Sequence, residues 1–75
     1  MRESDWRAWV DSLPSSRPQL QEVQAHLERQ AVLAEVRLTA AIWKGGRKAE
    51  ERTVRVELND LNSQLLFIRT QLKVV

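Results

Sequence analysis

A chain of 75 residues allows one small domain. With no cysteine and a single histidine, His26, disulfide staples, thiolate zinc sites and a histidine-built metal site are excluded. Twelve Lys and Arg against ten Asp and Glu leave a formal charge of +2 and a pI of about 9.7, too slight an excess for charge alone to demand nucleic acid. A domain of this length buries only about 60% of its unfolded surface, so once disulfides and metals are gone a partner chain is the stabiliser left.

The first five residues, Met1-Arg2-Glu3-Ser4-Asp5, lead into no apolar core, so no secretory leader is expected. No apolar run approaches the roughly 20 residues that span a bilayer. With the lack of cysteine, these features give the expectation of an intracellular chain with no membrane partner.

Residues 4–13, SDWRAWVDSL, predict a short helix. Ser4 would be its N-cap and Asp5 would suit the first turn, while Trp6, Trp9, Val10 and Leu13 fall at i, i+3, i+4 and i+7. Pro14 and Pro18, with Ser15 and Ser16 between them, end it and form a stiff polar joint. Residues 1–16 thus form an N-terminal unit ahead of the main body at 17–75.

Residues 17–43 predict one long helix. Ser16 and Gln19 match the S-x-x-Q capping box, and Pro18 lies in the first turn, where its missing N–H is not needed. Leu20, Val23, Leu27, Ala31, Ala34, Leu38 and Ala41 recur at spacings of 3, 4, 4, 3, 4 and 3, one continuous helical face. Lys44 complements the helix C-terminus, and Gly45-Gly46, the only glycines, stop it because glycine readily takes the left-handed conformation. The turn is therefore expected at 44–46.

Residues 47–73 resume the pattern. Val54, Leu58, Leu61, Leu65, Ile68, Leu72 and Val75 are spaced 4, 3, 4, 3, 4 and 3, a heptad seam. The rival is a strand over residues 52–58, RTVRVEL, where Thr53, Val54 and Val56 are β-branched and alternate with charges. It finds no second strand nearby to pair with. The predicted fold class is all-α: an antiparallel, coiled-coil-like helical hairpin with a short N-terminal helix, completing a helix bundle with another chain.

The hairpin has one interface and more apolar surface than that interface uses. Segment 31–43 is apolar nearly all round, and Leu66 and Phe67 point away from the seam. Either the Trp6/Trp9 helix folds back over this surplus or another chain covers it, and both can hold at once. The candidate partner-binding residues are Trp6, Trp9, Val32, Val36, Trp43, Leu58, Leu65, Leu66, Phe67 and Leu72. A basic tip of Lys44, Arg47, Lys48, Arg52 and Arg55, diluted by Glu50 and Glu51, is a candidate contact for phosphate or an acidic partner. Its bland reading is a solvated hairpin end with a Glu51–Arg55 pair.

Nothing reads as catalytic. His26 flanks an apolar face, Glu50, Glu51, Glu57 and Asp60 show no acid–base pairing pattern, and two glycines make no phosphate loop. No cofactor is expected. The expected function is a non-enzymatic protein–protein interaction module, a small helical subunit or scaffold of a multi-protein complex; the alternative is a dimeric four-helix bundle that binds nucleic acid through the basic tip.

Overall fold

The computed structural model describes residues 1–45 and 48–74. Gly46, Arg47 and Val75 lie outside them, and with them half of the glycine pair, one tip arginine and the last seam position. Three helices follow in order: α1 (Glu3–Asp11), α2 (Arg17–Trp43) and α3 (Lys48–Val74). Among the described residues there is no strand; the alternating segment 52–58 is continuous helix within α3. The heptad seam decides this, because it gives Val54 and Leu58 a helical neighbour to pack on, while a strand there would have none.

Local signals place the helix ends with three corrections: the N-cap of α1, its end at Asp11 rather than Leu13, and the capping box of α2. Arg2, not Ser4, is the N-cap of α1, extended at φ −71° and ψ 153°, and no side chain bonds the free N–H groups there. Glu3 and Asp5 in the first turn supply the favourable charge instead. The helix ends at Asp11, where Ser12 donates its backbone N–H to the Ala8 and Trp9 carbonyls and its hydroxyl to Trp9 at 2.6 Å. Ser16 caps α2 by backbone geometry alone; its side chain makes no capping bond, so the S-x-x-Q pattern marks the boundary without forming the box. At the far end Lys44 keeps helical geometry and Gly45 turns to φ +61°, the left-handed stop that the glycine predicted.

Helices α2 and α3 pack along their length as a hairpin. Two cross-helix ion pairs show its sense. Arg37 meets Glu57 at 2.8 Å and Glu28 meets Arg69 at 3.9 Å, so moving back along α2 moves forward along α3. The core is the predicted seam. Leu20, Leu27, Ala34 and Ala41 from α2 face Val54, Leu61, Leu65 and Ile68 from α3, with Val23, Ala31, Leu38, Leu58 and Leu72 half-buried around them. The alanines on α2 leave room for the larger side chains of α3.

Helix α1 lies against this hairpin. Trp6 and Trp9 pack edge-on to Phe67 of α3, with ring centroids 5.7 and 5.8 Å away, and sit 5.2 Å from each other. Trp9 and Leu13 reach the core. The Met1 ammonium bonds both carboxylate oxygens of Asp60 at 2.9 and 3.1 Å. The whole is extended, 44 × 24 × 15 Å, with a radius of gyration of 14.3 Å; a compact chain of this length has about 11 Å.

Two substitutions test this account in denaturant titrations. Ile68 is fully buried, so Ile68→Ala should cost about 2–5 kcal/mol. Gly45→Ala should cost about 1 kcal/mol from the left-handed φ alone, since an added Cβ meets nothing closer than the Trp43 carbonyl at 4.0 Å.

Candidate functional site

The site follows from helical geometry applied to α2. The seam residues occupy one face. Half a turn away, at 3.6 residues per turn, lie Ala25, Val32, Val36 and Trp43, with Leu33 and Ala40 along one edge. This opposite face turns away from α3, and α1 packs on Phe67 rather than on it. Val32, Leu33 and Val36 stay 58, 61 and 60% exposed and Trp43 83%. A tryptophan left this open is unusual, because its ring is among the largest apolar surfaces a chain can bury.

The face is shallow and continuous. One depression is lined by Ala25, Glu28, Arg29, Val32 and Leu33; the next, sharing Val32, is lined by Glu35, Val36, Thr39 and Ala40. Polar groups frame it. Glu28 and Glu35 run along one rim, and Glu22, His26, Arg37 and Lys44 along the other. An elongated, shallow, mostly apolar face with charged edges suits a helix better than a small molecule.

The structure divides the expected partner-binding residues into three groups of three and leaves Leu66 by itself. Val32, Val36 and Trp43 come together on the outer face of α2, joined by Leu33 and Ala40, which the same periodicity could have added. Leu58, Leu65 and Leu72 belong to the hairpin seam, Leu65 only 5% exposed and Leu58 and Leu72 half-buried, so their packing is largely within the hairpin. Trp6, Trp9 and Phe67 are half-buried on one another. Their apolar surface is satisfied mainly within the chain. Leu66 is exposed on an outer face of α3 that it shares with Asn59, Ser63 and Thr70 and with the exposed Val56 and Val74.

The basic tip gathers little. Lys44, Lys48, Arg52 and Arg55 are exposed, and Arg47 lies outside the described residues. Arg55 donates from Nε and Nη2 to Glu51 at 3.1 and 2.9 Å, the pair its i, i+4 spacing predicted. Glu51 therefore sits inside the cluster and lowers its positive potential. Among the described residues no group of three acidic or imidazole side chains is placed to hold a metal ion, and no helix is long and apolar enough to cross a membrane. Compared with known proteins, the chain matches no family model, no curated protein and no solved structure.

The aromatic cluster makes a direct prediction. Phe67→Ala should red-shift tryptophan emission as Trp6 and Trp9 lose their cover, and should destabilise the chain by about 1–3 kcal/mol, less than for a fully buried phenylalanine. Far-UV circular dichroism should lose no more than the α1 contribution. A collapse of all helicity would show that α1 is required by the hairpin rather than docked on it.

Proposed function

We propose that this chain is a non-enzymatic protein–protein interaction module, a small helical subunit whose outer α2 face docks on a helix of another chain. The observation that carries this reading is the exposed apolar face formed by Val32, Leu33, Val36, Ala40 and Trp43 along α2. Covering it would complete a helix bundle in which α2 is packed on two opposite sides. That is the environment a helix apolar nearly all round requires. Trp43 and Val36 would be the anchors and the charged rim would set specificity.

The surface area supports the same reading. The chain exposes 5760 Å². A compact monomer of 8.7 kDa exposes about 4,700 Å². The surplus of about 1,000 Å² is close to the ~800 Å² that each side contributes to a standard interface.

The test is size-exclusion chromatography with light scattering, run on the purified chain alone and after mixing with cell extract. The wild type should elute in a larger particle, and Val36→Glu and Trp43→Glu should elute as helical monomers. Monomeric wild type in both conditions would overturn the proposal. So would a particle that both variants still form, or one that nuclease dissolves.

A further inference from the structure

We infer that the occupant of the outer α2 face is the same face on a second copy of this chain, packed antiparallel about a two-fold axis level with Ala34. The inference rests on the docking reading above and names its partner. It comes from laying the face against itself. The positions along its centre are Ala25, Arg29, Val32, Val36, Thr39 and Trp43, spaced 4, 3, 4, 3 and 4, which is a heptad seam in its own right. In an antiparallel pair centred at Ala34, each of these positions meets another of the same set. Val36 meets Val32 of the second copy. Trp43, the largest, meets Ala25, the smallest. Arg29 lies across from Thr39, and the two Leu33 side chains touch beside the axis.

The alternative, a parallel pair, stacks each position on itself. It would set Arg29 against Arg29 and Trp43 against Trp43, one a like-charge contact and the other a collision of two large rings. It would also bring both basic tips, with Lys44, Lys48 and Arg52, to the same end of the dimer. The antiparallel pair sends the tips to opposite ends of a helix roughly 40 Å long. There Lys44 falls beside Glu22 of the second copy, on the same rim, and the two α2 dipoles oppose each other favourably. One contact resists: Glu35 faces Glu35 near the axis. It lies on the exposed rim, where solvent screens a like-charge pair to a fraction of its bare strength.

Size is also consistent. The surplus exposed surface on each chain matches what each side of a standard dimer covers, and the face spans most of α2, so one self-complementary contact uses it up. The seam lies on the opposite side of α2, and Trp9 and Pro14 border the face only at its Glu22 and His26 rim.

The chain has no cysteine, so single thiols can report the register. Sedimentation equilibrium of the wild type should give twice 8.7 kDa, and Val36→Glu and Trp43→Ala should each weaken the dimer by about tenfold or more. Circular dichroism checks that both variants keep their helices. Mixing Arg29→Cys with Thr39→Cys under mild oxidation should yield the mixed disulfide. Disulfides linking 29 to 29 and 39 to 39 would overturn the antiparallel packing. A folded wild-type monomer up to millimolar concentration would overturn self-docking altogether. If that monomer still enters a Val36-dependent particle in extract, the docking reading survives and only the identity of the partner falls. If it enters none, both fall.

Discussion

Everything in this molecule depends on the seam between α2 and α3. Each helix is 27 residues long, and most of the stability of a helix in a protein comes from packing its apolar face rather than from intrinsic propensity. The seam provides that packing from Leu20 beside Leu72 at the open end to Ala41 and Val54 near the turn. Its alanines, Ala31, Ala34 and Ala41, all lie on α2, interspersed with Leu20, Leu27 and Leu38, and face the mostly larger side chains of α3. The exposed cross-helix ion pairs, Arg37–Glu57 and Glu28–Arg69, contribute modestly and serve mainly to hold the register.

A two-helix seam has a geometric consequence. It buries one stripe on each helix and leaves the rest to water. Helix α3 is better suited to this, with Asn59, Ser63 and Thr70 among the exposed Val56, Leu66 and Val74 on its outer side, the two hydroxyls bonded back to carbonyls four residues earlier. Helix α2 is not suited to it, because a second apolar stripe runs along its outer side. Helix α1 relieves only one part of the problem. Nine residues long, it covers Phe67 with Trp6 and Trp9 and leaves the outer face of α2 uncovered. The proposed docking face is the longest run of what remains, with Ile42, Val56, Leu66 and Val74 exposed elsewhere.

The contrast between Leu66 and Phe67 shows how finely this partition is drawn. They are adjacent in sequence and both lie off the seam. One residue of rotation, about 100°, puts Phe67 beneath the indoles of α1 and leaves Leu66 in solvent as a scattered apolar residue of the kind every surface carries. Trp43 and Trp9 differ in the same way. Both are tryptophans on amphipathic helices, but Trp9 has a ring to meet within the chain and Trp43 has none there.

The sequence by itself determined the all-α class, the extent of α2, the glycine stop at Gly45 and every described apolar residue of the seam, though not the burial of Gln64 beside it. Those features are written in local chemistry and in a period of about 3.5 residues, which needs no knowledge of what lies across from it. It also marked segment 31–43 as too apolar for a single interface. Only the tertiary structure decided which of the surplus residues are satisfied. The position of α1 hangs on Pro14 and the short joint after it, and its landing place on Phe67 is a contact nearly 60 residues distant, which no local pattern encodes. Hence Trp6, Trp9 and Phe67, alike in type to Trp43, became part of the chain's own packing. Leu58, Leu65 and Leu72 were spent inside the hairpin. Val32, Val36 and Trp43 were left facing outward because the seam had already claimed the opposite side of their helix.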